Sequence, residues 1–238
     1  MLSVATLCEL NKRNGKGIEM RCISLWQPWA SLMALDQKRI ETRSFRTHHR
    51  GPLLIQAGKK WSRMQQGICN QFPYSEFVNG KDDLPLGAIV CVVNLTAVFP
   101  VEKIREKDQA LLTRKATQEK LEFEVHGTKC PRPRDVYDDQ VQRPFETVFG
   151  DYTDGRYGWL CEDVVRFEDP VPCTGKQGFF DVPVYTYQWG NNEKRRELKG
   201  RNCLVAARQE MNTRVVVWLD NGKTDVVSGN ALRKVRAE

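Results

Sequence analysis

The 238-residue sequence contains no long apolar run, which argues against a membrane-spanning helix, since one needs about 20 predominantly apolar residues. Histidine is scarce. Of the three present, His48 and His49 are adjacent, so on a strand they point to opposite sides. The eight cysteines, at positions 8, 22, 69, 91, 130, 161, 173 and 203, include no pair with the two-residue spacing of a zinc knuckle. No metal site and no cofactor are therefore expected, and the scattered thiols suit buried positions in a reducing compartment. The run TGKQG at Thr174–Gly178 lacks the spacing of a phosphate-cradling P-loop. The opening MLSVATLCEL has no basic start, and Glu9 interrupts its short apolar run. No secretory leader is expected, and the chain reads as cytoplasmic.

Acidic residues are sparse in one place. Between Arg21 and Lys60 there are eight basic side chains and two acidic ones, Asp36 and Glu41, a local excess of six in a chain whose net charge is +7. Such concentration suits a polyanionic partner. Trp26 and Trp29 flank Pro28 in the same stretch. Their rings suit base stacking while the cations suit phosphates. The alternative is that both tryptophans pack in a core and the arginines coat a surface.

Five segments carry a more specific signal: SLWQPWASL from Ser24, KRIETRSF from Lys38, RGPLLIQAGK from Arg50, FGDYTDGRYGWLCEDVVRF from Phe149, and EDPVPCTGKQGFFDVP from Glu168. Together they resemble the ASCH domain of the PUA-like superfamily, in its phage and bacterial type. The resemblance covers most of Met20–Pro183 and implies a prophage or bacterial cytoplasmic protein. It implies a small β-barrel with flanking helices and binding of RNA or nucleotides. Some small bacterial members are amidohydrolases acting on an acylated cytidine, and at least one is a ribonuclease. The deacylating members have a threonine three residues after their lysine and a glycine two before it. Here those positions hold Glu41 and Asp36, so that particular reaction is not carried over.

The fold class expected is α+β, mainly β. Residues 1–19 form an N-terminal extension, or Met20 is the true start. Residues 20–188 form the ASCH domain. Expected within it are strands at Arg21–Leu25, Ile40–Phe45, Pro52–Ala57, Gly87–Val98 and Tyr157–Phe167, with a returning edge at Val171–Pro183. A helix is expected from Pro28 to about Asp36, helix or irregular structure over Trp61–Asp83, a solvated helix or insertion over Ile104–Glu124, and a loop over Cys130–Asp139. Residues 189–238 carry an excess of five positive charges and form a second unit. After a linker or short helix it has strands at Asn202–Arg208, Arg214–Leu219 and Lys223–Ser228, the last two joined by a hairpin at Asp220-Asn221-Gly222. This unit resembles a small SH3-like barrel.

The candidate binding residues are Ser24, Trp26, Gln27, Lys38, Arg43, Arg50 and Lys176. On a strand from Ile40, Glu41 and Arg43 share a face, and Lys38 at the junction reaches toward them. The resemblance places its characteristic lysine and arginine on Lys38 and Arg43. It also places the Ser24 opening beside a cleft, where Gln27 is a candidate to hydrogen-bond a base edge and Trp26 either stacks on the base or lines the wall. Arg50 and Lys176 lie next to glycines and are expected to contact phosphates. Two functions stay open. One is binding of RNA, single-stranded DNA or a modified nucleoside. The other is hydrolysis, as a metal-independent ribonuclease or modified-nucleoside amidohydrolase with Glu41 as base, Tyr157 as proton donor and Lys38 as cation. The Lys38–Glu41–Arg43 set also reads as a purely structural ion-pair network.

Overall fold

Apolar and β-branched runs become strands in the computed structural model, which describes residues 19–103, 146–188 and 193–234. The strands are β1 (Glu19–Leu25), β2 (Ile40–Arg43), β3 (Gly51–Ala57), β4 (Ala88–Pro100), β5 (Tyr157–Pro172) and β6 (Phe179–Pro183). They are followed by β7 (Tyr185–Tyr187), β8 (Asn202–Arg208), β9 (Thr213–Trp218), β10 (Thr224–Ser228) and β11 (Leu232–Lys234). The fold is α+β and mainly β. One sheet has the order β2-β5-β4-β3-β1-β6 and the other β10-β9-β8-β7-β11. β1 and β3 pair in parallel, whereas β6 on β1 and β4 on β3 are antiparallel.

Two short helices accompany the strands, α1 (Trp29–Ala34) and α2 (Arg63–Cys69). Pro28 caps α1, and Asp36, with φ of 57°, turns the chain out of it. The helix buries Ala30, Leu32 and Met33 completely, which holds the β1-to-β3 crossover against the sheet. The segment Trp61–Asp83 combines helix and irregular structure. α2 accounts for seven residues of it, and 3₁₀ turns form at Tyr74–Glu76 and Lys81–Asp83. The two expected strands at Tyr157–Phe167 and Val171–Pro183 divide differently. β5 runs unbroken for 16 residues through Asp169-Pro170, and β6 is a separate short strand. A proline is tolerated inside a strand where its missing donor has no acceptor to meet. The segments 1–18, Ile104–Glu124 and Cys130–Asp139 lie outside the described residues.

The chain divides into two compact units, one of residues 1–36, 49–96 and 161–238, the other of residues 37–48 and 97–160. In the first unit, one apolar cluster joins Met20, Cys22, Leu54, Ile89 and Val92 to Phe167, Val171 and Phe180, and to Leu204, Val217 and Leu219 from the C-terminal strands. A second cluster gathers Tyr187, Cys203, Val216, Trp218, Val227 and Leu232. Segment 189–238 therefore supplies four strands of a sheet whose remaining member, β7, precedes residue 189. In the second unit, Val101 and Tyr152 are buried with Ile40 and Phe99 against them. The free cysteines among the described residues are mostly buried. Burial pushes the Cys22 and Cys91 thiols up and that of Cys203 up to about 12, so none of these three is a thiolate near neutral pH.

Candidate nucleic-acid interface

In the first unit, the parallel register sets Ser24 beside Gln56. The loop after β5 folds over this pair, and the Ser24 hydroxyl donates to the Lys176 carbonyl at 3.2 Å. Gln56 is fully buried and donates to the Ala57 carbonyl at 2.7 Å and the Cys173 carbonyl at 3.2 Å. Gly175 presses so closely on Ser24 Oγ and Gln56 Oε1 that a Cβ there has no room. The Lys176 side chain is left exposed at this close crossing.

Two residues after Ser24, just beyond the end of β1, Trp26 leaves the core and is 47% exposed. Lys60 Nζ lies 5.0 Å from the centroid of its ring, within the range of a cation–π contact. Gln27 is fully buried instead. Its amide donates to the Pro85 carbonyl at 2.8 Å and its Oε1 accepts from the Ser31 N–H at 3.1 Å, so the side chain ties the start of α1 to the loop before β4.

Arg50 lies at the other end of β3, some 20 Å from Trp26 by the rise of a seven-residue strand. It is half-buried there and donates to the His49 carbonyl at 2.7 Å. Gly51 follows with φ of 101°, a conformation that favours glycine. Arg21 sits 5.7 Å from the Phe179 ring centroid and 3.4 Å from Asp181, and the His49 ring meets Phe179 edge-on. Burial, with Arg21 and Arg50 nearby, lowers the His49 imidazole below its ordinary value, so it is neutral near pH 7. Two of the candidate sets in this unit are thus kept apart by the length of a strand.

In the second unit, the antiparallel register places Glu41 opposite Trp159 and Arg43 opposite Tyr157. Directly opposed residues share a face, so Glu41, Arg43, Tyr157 and Trp159 all project from the same side. Glu41 Oε1 lies 3.0 Å from Arg43 Nε as an ion pair rather than an aligned hydrogen bond. Glu41 Oε2 lies 3.7 Å from Lys38 Nζ. Lys38 is 1% exposed, and its ammonium also donates to the Ile40 carbonyl. The expected grouping of Lys38, Glu41 and Arg43 is therefore present as a network with two buried members.

Residues 23–170, more than half of the chain, match the ASCH domain family. The chain belongs to that family. The human and mouse proteins named Activating signal cointegrator 1 are each 36% identical to it over 91 residues, which is 36% of this chain. The matched part spans only 16% of the length of those relatives. Two solved mutant forms of ZmASCH from Zymomonas mobilis are 13% identical, with a TM-score of 0.33. Those alignments cover 76% and 75% of this chain and 96% and 93% of the solved chains.

Within this ASCH domain, sequence reasoning missed Glu146. Its buried carboxylate accepts the backbone N–H groups of Arg39 and Ile40, each at 2.8 Å, and so fixes the turn that delivers Lys38 and Glu41. Asp151 and Arg156 were missed as well. The Asp151 N–H donates to the Thr42 hydroxyl, Arg156 donates to the Thr42 carbonyl, and the two side chains pair at 3.2 Å. Hydrogen bonds from the Thr153 hydroxyl and N–H hold the Asp151 carboxyl below its ordinary value. No local pattern marks such partners, because each bonds to a residue more than 100 positions away in the chain.

Proposed function

We propose that this ASCH domain binds a nucleic acid strand, RNA or single-stranded DNA, with a modified base as one candidate for recognition. The observation that carries the reading is Trp26: a tryptophan next to a buried strand end turns outward beside Lys60 instead of joining the core. The half-exposed ring takes a base on the side away from Lys60, while Lys60 and Lys176 supply cations for phosphates. Gln27 then acts by holding the Trp26 turn rather than by touching a base. Arg50, at the far end of β3, serves a more distant phosphate. In the second unit, Arg43 is the partly exposed cation of its network. The finer architecture that we assign is a PUA-like barrel carrying an SH3-like module at residues 189–238.

Replacing Trp26 by alanine is expected to weaken binding to single-stranded RNA roughly 5- to 150-fold, the equivalent of losing one stacked base. Because the ring is half exposed, the melting temperature should stay close to that of the parent. Fluorescence anisotropy with a labelled oligonucleotide measures the first and circular dichroism the second. Unchanged affinity overturns the reading.

Hydrolysis is the second reading, and the observation in its favour is the shared face of Glu41, Arg43 and Tyr157. A metal-independent ribonuclease or a modified-nucleoside amidohydrolase would draw its base from Glu41, its proton donor from Tyr157 and its cation from Lys38. Burial of Lys38 and its bond to the Ile40 carbonyl support the binding reading over this one.

A further inference from the structure

The hairpin between β8 and β9 sets two like charges side by side. Arg208 and Arg214 face each other directly across the two strands. Opposed residues have Cβ atoms about 5 Å apart, and like charges in such a pair are destabilising. Neither guanidinium has a carboxylate within ion-pair distance among the described residues. Arg214 is half-buried. It donates to the Thr213 carbonyl at 2.7 Å and to the Asn212 side-chain oxygen at 3.0 Å. The Asn212 amide in turn donates to Asn230 at 2.8 Å, and Gly229 closes over the guanidinium with no room for a side chain. Arg214 is thus held in place by neutral partners that leave its positive charge whole, and Arg208 reaches out beside it.

The tip of the same hairpin carries one apolar side chain among polar ones. Met211 is 95% exposed, on a turn where Met211 and Asn212 have φ of 51° and 58°. Arg208 also stands at one end of a groove of about 480 Å³ lined by Val171, Thr174, Tyr185 and Leu204. Two adjacent cations without a counter-charge among the described residues, an exposed thioether and a groove beside them suit a polyanion whose charged links alternate with flat rings. Thioether sulfur makes favourable contacts with aromatic rings, and exposed methionine serves as a wedge against bases.

We propose that the β8–β9 hairpin is a second nucleic-acid-binding element, in which Arg208 and Arg214 clamp backbone phosphate and Met211 rests on a neighbouring base. The proposal takes only the class of ligand from the reading centred on Trp26; the residues lie on the other sheet. Glu210 is the acid of this hairpin, and its side chain is exposed.

The test titrates the full chain with single-stranded oligonucleotide over a range of salt. For single strands, each neutralised phosphate adds about 0.7 to the slope of log affinity against log salt. R208Q is expected to lower the slope by about 0.7, and R208Q with R214Q by about 1.4. The exposed Arg208 makes R208Q the variant that keeps the fold, and relief of the like-charge pair should leave its melting temperature equal or higher. M211S is expected to weaken binding to an oligonucleotide with bases but not to an abasic phosphodiester strand. If the parent binds and R208Q leaves the slope unchanged, the hairpin proposal is overturned and the Trp26 reading stands. If Trp26→Ala is without effect while R208Q lowers the slope, the Trp26 reading falls and the hairpin stands. Failure of the parent to bind any oligonucleotide overturns both. Arg208-dependent binding to polyglutamate but not to oligonucleotide overturns the proposal in favour of an acidic protein partner.

Discussion

Glu41 has a cation on either side, and one of them, Lys38, is almost sealed from water at 1% exposure. Removing one member of a buried ion pair leaves the other's charge uncompensated and costs about 3–5 kcal/mol. Glu41→Gln is therefore expected to lower the melting temperature, on the order of 10 °C for a chain of this size. Adding Lys38→Met should restore most of the loss, because the stranded charge is then gone. Thermal denaturation of the parent and the two variants checks this. A single variant as stable as the parent would show that Lys38 is stabilised by the Ile40 carbonyl alone. The same experiment bears on hydrolysis: a general base at Glu41 predicts roughly 10²–10⁴-fold loss of turnover, a change that restored stability would not repair.

At the scale of elements, the most constrained point is the turn between β9 and β10. Gly222 has φ of 72°, donates to the Trp218 carbonyl and accepts from the Glu168 N–H. A Cβ there would penetrate the Arg166 carbonyl oxygen. Gly222→Ala is expected to cost at least about 1–3 kcal/mol from its conformation, with the clash added, whereas Gly200→Ala, with open space around it, should cost only the conformational part. Chemical denaturation of both variants measures the difference. The Asp220-Asn221-Gly222 hairpin was legible because turn chemistry is local: a glycine between two β-branched runs announces the reversal. For the same reason α1 and strands β1, β3 and β4 were legible from proline placement and apolar runs. The clamp on Gly222 from β5 was not, since its partner lies more than 50 residues away. The Lys38–Glu41–Arg43 set was legible from a period of two, but Glu146, which fixes its turn, was hidden by the same distance. Trp26 and Gln27 were both expected beside a ligand. Nothing in their spacing distinguishes the exposed ring from the buried amide, because that choice is made by Pro85 and Lys60 from elsewhere in the chain.

For the whole molecule, the decisive fact is the apolar cluster that places Leu204, Val217 and Leu219 against Met20, Leu54 and Ile89. Each of those three aliphatic side chains contributes about 1.5–3 kcal/mol on full burial, and together they rival the net stability of an ordinary domain. A chain ended after Pro183 is therefore expected to lose cooperative unfolding and to bind a hydrophobic dye. A sharp transition at the parent's melting temperature would show instead that the earlier strands close a core of their own. The pairing of β1 with β6 carries a further consequence. Met20 aligns with Val182, more than 160 residues later in the chain. At about 5–20 residues per second, a ribosome takes roughly 10–30 seconds to travel from one to the other. Throughout that interval one side of the first strand has no neighbour, and such long-range closure is slow even afterwards. The nascent chain therefore spends its early life with an open strand edge, a template for pairing with other chains until β6 arrives.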